Sequence, residues 1–332
     1  MELSALGEFG LINRIAPLFS HLIPNGVEGI GDDCAIIPIS ETESLVVTTD
    51  LLVEDIHFLR HSMPAIDLGW KSLAVNLSDI AAMGAKPIGS FLSIGLPADV
   101  TVEWTDAFFE GMHQLSAIHG VPLLGGDTTR SPEKVVINIT VVGKASSDKI
   151  KRRSTAQHGD VIATTGCVGD SAAGLWLLLN KIAPTPETEV LFGAHFRPRP
   201  HLLEGAWLAA QPGVHAMMDI SDGIASDLPQ ILRASGCSAT AELSQLPISS
   251  TLRNARDSYP WDIHDLAVGG GEDYCLLLTL DSSEAATIMA NFESTFNHPL
   301  FSFGTIVAGT PTIRWSKYGA PIQLTSKGFQ HF

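Results

Sequence analysis

The chain has 332 residues, 45% hydrophobic and 17% charged, and its 36 acidic against 20 basic side chains give a formal net charge of -16. With one short basic run, Lys149 to Arg153, it lacks the clustered Lys and Arg that binding a phosphate backbone requires, which excludes nucleic acid as a main partner. The ordinary apolar content excludes a disordered chain, and the length suits about two domains of roughly 150 residues each.

Four cysteines (Cys34, Cys167, Cys237, Cys275) lie far apart with no CxxC pair, so neither a disulfide frame nor structural zinc is expected, and a reducing cytosol fits. The N-terminus carries Glu2 and Glu8 where a signal peptide is basic, and no apolar run reaches the 18 or so residues of a membrane span. A cytoplasmic protein without a membrane partner is expected.

In chain order, residues 26–55 read as two strands joined by the polar turn ETES. A helix follows, with Asp67 as N-cap, apolar positions at Leu68, Leu73, Val75, Leu77 and Ile80, and Gly84 as its stop. PIGSFLSIGLP is a strand, residues 101–119 a helix ending at Gly120, and VPLLGGDTTR and KVVINITVVGK two further strands. KASSDKIKRRSTAQHGD reads as a linker, which divides the chain into residues 1–145 and 155–332. Beyond it DVIATTGCVGD is a strand entering the helix SAAGLWLLLN, and VHAMMDISDG is a strand entering a helix through Gly223. GGGEDYCLLLTL is a glycine-rich turn and strand, and HPLFSFGTIVAG and PTIRWS close the fold. The fold class is α+β, two domains in tandem.

The carboxylates gather in short Gly, Ser or Thr contexts at the ends of apolar strands. They are Asp32 and Asp33 in GIGDDCA, Asp50 in VVTTD, Asp79 in NLSDIAAMG, Asp127 in GGDTT, Asp219 and Asp222 in DISDG, and Glu272 and Asp273 in GGGEDY. Any one alone reads as a turn former or cap, but so many endings of one kind read as a metal site. Hard divalent cations take oxygen ligands, magnesium commonly one or two carboxylates with phosphates and water; without cations the carboxylates would repel one another. Strand alternation puts Thr48 and Asp50 on one face and Val47 and Thr49 on the other, so Thr48 and Asp50 can reach one metal together. Asp79 falls inside a helix, where a carboxylate has no capping role.

Glycines beside these acids, Gly125 and Gly126, Gly223, and Gly269 to Gly271, let backbone amides approach an anion closely. The common nucleotide and kinase signatures are absent, as is a GxSxG elbow, and Ser221 has no flanking His to act as its base. His57 in EDIHF reads as a structural histidine or as a ligand contact. Trp70, Trp104, Trp176 and Trp207 lie on helical patterns and are expected in the core or an interface.

Taken together and in order, GEFGLI, GIGDDCA, TTDLLVEDIHF, KSLAVNLSDIAAMGAKP, LLGGDTTR, GDSAAGL, DISDGIASDL and GGEDY resemble the bacterial thiamine-monophosphate kinase family, from Gly7 to Phe332. That family belongs to an aminoimidazole ribonucleotide synthetase-like superfamily of ATP-dependent enzymes. The resemblance implies a two-domain architecture with N-terminal domains pairing across a homodimer and ATP bound between domains. It also implies transfer of the ATP γ-phosphoryl group to thiamine monophosphate with several magnesium ions. On it, Asp33, Thr48, Thr49, Asp50, Asp79, Asp127, Asp219 and Asp222 correspond to metal positions, with Asp32 beside them. Gly126, Asp127, Arg153 and Ser221 correspond to ATP contacts, and His57 and Glu272 to the thiamine phosphate site.

One departure stands in the tail, TSKGFQHF, where Ser326 takes the place of the family's usual aromatic residue; Phe329 and Trp315 are the candidates to replace it. The acceptor's phosphate oxygen is already largely ionised at neutral pH, so no general base is expected and transfer is direct. Two alternatives stay open: another ATP-dependent member of the superfamily, although residues 1–30 lack the Cys of a selenophosphate synthetase, and a non-catalytic magnesium-nucleotide sensor.

Overall fold

The structure is a computed structural model that describes residues 6–324 and 328. After helix α1 (Glu8–Ser20), strands β1 (Ala35–Pro38) and β2 (Glu43–Val53) lead into helix α2 (Ala65–Ala82). Strand β3 (Lys86–Leu96), helix α3 (Val102–His119) and strands β4 (Leu123–Arg130) and β5 (Val136–Ser146) complete this part. The five strands form one sheet in the order β1-β2-β5-β3-β4, in which only the β3–β4 pair is parallel.

The chain continues through β6 (Val161–Thr164), α4 (Asp170–Leu179), α5 (Glu189–Phe196), α6 (Leu202–Ala209), β7 (Val214–Asp219), α7 (Ile224–Ser235) and β8 (Ser238–Glu242). It ends with α8 (Ser250–Ala255), α9 (Ile263–Gly269), β9 (Leu276–Leu280), α10 (Ala285–Phe296), β10 (Phe301–Val307), β11 (Ile313–Lys317) and β12 (Ala320–Ile322). These strands form a second sheet in the order β12-β11-β8-β10-β6-β9-β7.

Strand β9, LLLTL, is buried along its whole length. Successive side chains point to opposite faces, so Leu276, Leu278 and Leu280 enter one core while Leu277 enters another. The first core is shared with the N-terminal sheet, and helix α2 is its centre. Thirteen of the eighteen α2 residues are buried, because the helix touches β2, β3 and β5 on one side and β7, β9, α5 and α6 on the other. A helix buried nearly all round belongs inside a protein, and here it is the wedge between two sheets. Trp70, Trp104 and Trp207 pack on this core and Trp176 on the second, as the helical patterns suggest.

Local chemistry sets the helix ends. Thr101 caps α3 by accepting from Trp104 N at 3.2 Å, and Gly120 ends it in the left-handed conformation. Asp67 is not the N-cap of α2: Pro64, with its ring-fixed φ, precedes the first helical residue, and Asp67 falls in the first turn, where it meets Arg197. The stretch that reads as a linker is an ordered strap. Ile150 is buried, Lys151 Nζ donates to the carbonyls of Gln211 (3.1 Å) and Val214 (2.7 Å), and Arg152 bridges to Ala216.

Helices α2 and α3 cross at two glycines. A Cβ on Gly69 would lie 1.8 Å from the Phe108 carbonyl oxygen, and one on Gly111 1.7 Å from that of Ile66. Helix propensity alone favours Gly69→Ala by about 1 kcal/mol, but the clash is with backbone that cannot step aside. Gly69→Ala is therefore expected to cost about 2 kcal/mol or more, read as a lower urea midpoint; an unchanged or raised midpoint contradicts the close crossing.

Candidate active site

The N-terminal sheet, α2 and the C-terminal sheet meet around a cleft of about 980 Å³. Asp50 on β2, Asp79 on α2 and Asp219 at the end of β7 line it, with Ser221 and Asp222 from the following loop, His57 from the loop after β2, and Glu272 before β9. Leu51, Ile56, Leu175, Leu178, Leu179 and Leu266 give its outer part an apolar wall.

Carboxylate oxygens of Asp33, Asp79 and Asp219 lie within 4.8 Å of one another. Each is aimed by a neighbour. Thr48 donates its hydroxyl to Asp79 Oδ2, Ser78 Oγ donates to Asp219 Oδ2 at 2.6 Å, and Asp50 N donates to Asn76 Oδ1 at 3.2 Å. Arg153 donates to Asp33 Oδ1, while Asp33 Oδ2 is buried with no hydrogen-bond partner among the described residues. Asp32 stands beside the group, accepting from Asp33 N (3.0 Å) and Arg153 N (3.1 Å).

The cluster is electrostatically unbalanced. Burial first, and Asp33 next, push Asp50 up to about 6. Burial and Asp33 likewise push Asp219 to about 8 and Asp32 to about 7. Burial, then Asp50, Asp219 and Asp33, raise Asp79 well above the usual carboxylate range. Arg153 is the nearby cation: burial works against its charge, but Asp33 and Asp32 raise it nonetheless. Convergent carboxylates, one buried orphan oxygen and mutual repulsion make a donor set suited to a hard dication, which would relieve each of these costs.

The loops bearing Ser221, Asp222 and Glu272 are pressed together. Gly223 has φ +95°, and a Cβ there would lie 2.6 Å from the Gly270 carbonyl oxygen. Glu272 N donates to Ser221 O at 2.7 Å and Asp222 N to Asp227 Oδ2 at 3.1 Å. Glu272 is itself held at φ 64° and Tyr274 at φ 49°; left-handed backbone in residues other than glycine is strained and clusters at functional sites. His57 Nδ1 accepts from Val53 N at 3.0 Å, which places the ring proton on Nε2.

Three expected site residues lie elsewhere. The Thr49 hydroxyl is on the opposite face of β2, 2.9 Å from Asn138 Nδ2 and 3.0 Å from Thr140 Oγ1, as strand alternation requires. Gly126 and Asp127 are on β4, an exposed edge strand separated from β2 by two strands, or about 14 Å at ordinary spacing. Gly126 is needed for packing, since a Cβ would meet the Leu92 carbonyl oxygen at 1.7 Å; the Asp127 carboxylate accepts from Thr128 N at 3.0 Å. Trp315 packs on the second core and is not among the cleft residues. Ser326 and Phe329 lie outside the described residues, although Gly328 of the same tail lines the cleft.

The sequence reading missed Lys71, His195, Asp227 and Ser78. Lys71 carried a signal: it precedes Asp79 by eight residues, on the same face of α2. His195 and Asp227 come to the site through folding alone.

The fold and site define the class. Residues 31–145 match the N-terminal domain of AIR synthase related proteins and residues 157–311 the C-terminal domain, so the chain belongs to that two-domain family. Within it, the chain is 37% identical to the thiamine-monophosphate kinase of Escherichia coli K12 over 99% of both chains, and 34% identical to that of Bacillus subtilis over 98% of this chain and all of the other. The solved structure of AaThiL complexed with AMPPCP and TMP superposes with a TM-score of 0.86 at 30% identity, covering 100% of this chain and 99% of the other. The chain is a member of the thiamine-monophosphate kinase family.

Because the folded chain binds protons on Asp50, Asp32 and Asp219 more tightly than the unfolded chain does, their contribution to stability is full below about pH 4. It is lost as pH rises through about 6 to 8. A bound dication cancels that loss. Magnesium is expected to raise the melting temperature more at pH 8 than at pH 5; an equal rise at both, or none, contradicts a cation site here.

Proposed function

We propose that the protein phosphorylates thiamine monophosphate with ATP, giving thiamine diphosphate and ADP, by direct in-line transfer within the cleft. The observation that carries this is the lining of the cleft: buried carboxylates, an apolar wall, and Glu272 on a loop held against the one that bears Ser221 and Asp222. Two ligands rich in phosphate can share the acidic end only when cations stand between them and the aspartates. Asp33, Asp50, Asp79, Asp219 and Asp222 are the residues we assign to hold magnesium. When bound there, magnesium supplies the charge neutralisation that phosphoryl transfer requires.

The remaining work falls to the chain itself. Thr48 and Ser78 aim the carboxylates of Asp79 and Asp219. Arg153, ion-paired to Asp33, contributes positive charge at the phosphates, and Ser221 contacts the nucleotide. His57, with its proton on Nε2, is the residue we assign to donate to the acceptor's phosphate. That phosphate needs no general base, because the second ionisation of a monoester, with a pKa of about 6, leaves an oxygen already anionic at neutral pH. Glu272 faces the thiamine moiety.

The working unit we infer is a homodimer. The face of the N-terminal sheet that carries Thr49 leaves Leu51, Phe91 and Leu124 between 41 and 59% exposed, an apolar surface fit for pairing with a second copy. Such pairing also gives Gly126 and Asp127, remote from the cluster within one chain, a route to the nucleotide of the neighbouring copy. Among the described residues no helix is long and apolar enough to cross a membrane, and we assign the activity to the cytoplasm.

Incubation with ATP, magnesium and thiamine monophosphate is expected to yield thiamine diphosphate and ADP one for one. Asp79→Asn should lower kcat by at least about 100-fold with an unchanged circular dichroism spectrum. ATP binding without product indicates a sensor instead, and wild-type turnover in Asp79→Asn overturns the assignment of Asp79.

A further inference from the structure

We propose that Lys71 is a positioning residue for the acceptor: buried beneath the cleft, it fixes the Glu272 carboxylate toward the thiamine moiety and so sets the affinity for thiamine monophosphate but not for ATP. This rests on the reading of Glu272 as an acceptor contact.

Lys71, Val75 and Asp79 share one stripe of α2 at spacings of four. Val75 and Asp79 line the cleft, and Lys71 lies about 12 Å further along the helix axis, eight residues at 1.5 Å each. Its side chain is 0% exposed, with Nζ 2.8 Å from Glu272 Oε1. That approach is off the direction of a hydrogen bond, and Nζ donates to no acceptor among the described residues. The other carboxylate oxygen, Oε2, lies 3.1 Å from His195 Nδ1, which is 3.3 Å from Ser171 Oγ. Glu272 is thus bracketed on both oxygens while its backbone is held in the left-handed region.

A buried ion pair is seldom a net gain in stability over apolar residues of the same volume, and α2 is apolar around this position. The effect of Lys71 therefore falls on Glu272. Burial alone would raise the Glu272 pKa, and Lys71, followed by His195, holds it at about 2. Thiamine carries a permanent thiazolium cation and an aminopyrimidine. An ionised carboxylate held in place attracts the cation and can accept from the exocyclic amine, whereas a protonated or freely turning one loses the attraction to the cation.

The test compares Lys71→Met, Lys71→Arg and Glu272→Gln, with each substrate varied in turn and melting temperature measured on each variant. Lys71→Met is expected to raise KM for thiamine monophosphate about tenfold or more while KM for ATP stays within about twofold. Lys71→Arg should recover part of the loss, and Glu272→Gln should reproduce the selective rise. If Glu272→Gln shifts KM and Lys71→Met does not, the role of Lys71 fails while the reading of Glu272 stands; if Glu272→Gln leaves KM unchanged, that reading itself fails. A lower melting temperature with both KM values raised alike makes Lys71 a strut and overturns the proposal. Should Lys71→Met not accumulate as folded protein, Lys71→Gln, uncharged and polar, carries the same comparison.

Discussion

Everything about this cleft depends on one unfavourable arrangement, the burial of like-charged carboxylates against each other. Asp33 precedes β1, Asp50 lies on β2, Asp79 on α2 and Asp219 at the end of β7, so the group is assembled from both sheets. Bringing such charges out of water is costly unless they are protonated or neutralised by cations. The apolar core around α2, shared by both sheets, supplies the opposing force, and Arg153 offsets part of the repulsion. The folded chain is therefore stable enough to hold the cluster yet leaves it short of positive charge, a deficit that the magnesium of the proposed function would fill.

Helix α2 gives the cleft its direction. Its Asp79 belongs to the acidic end, its Lys71 supports Glu272, and Val75 lies between them on the same stripe. One rigid element thus carries both Asp79 and the ion-pair partner of Glu272, and close helix crossing at Gly69 and Gly111 keeps that element from sliding. The strained loop carrying Glu272 is fixed by backbone contact with the loop carrying Ser221 and Asp222, so the groups assigned to nucleotide and to acceptor lie on loops that cannot move independently.

Much of this was legible in the sequence, for identifiable reasons. Strand and helix periods are local, so the strand VVTTD and the helix through Asp79 could be read directly, and alternation alone predicted that the Thr49 hydroxyl points away from Thr48 and Asp50. Turn and cap chemistry was less decisive: Asp67 suits an N-cap, but Pro64 starts the helix earlier. What periodicity cannot show is contact between distant segments. Lys71 and Glu272 are separated by two hundred residues, and His195 reaches them from α5. The basic run at 149–153 reads as a linker by composition, but its Lys151 and Arg153 are anchored to carbonyls and carboxylates of other segments. Asp127 illustrates the remaining gap, since its motif resembles a metal and nucleotide position while a single chain leaves it on the exposed edge strand.

The central claim, that the buried carboxylates form a cation site held partly protonated until filled, is tested most directly by calorimetric titration of magnesium into the protein at pH 7 in buffers of different ionisation enthalpy. The account predicts binding coupled to release of about one proton or more, because cations displace protons from ligating groups, and loss of that release in Asp219→Asn. Binding without proton release, or no binding at millimolar magnesium, would contradict it.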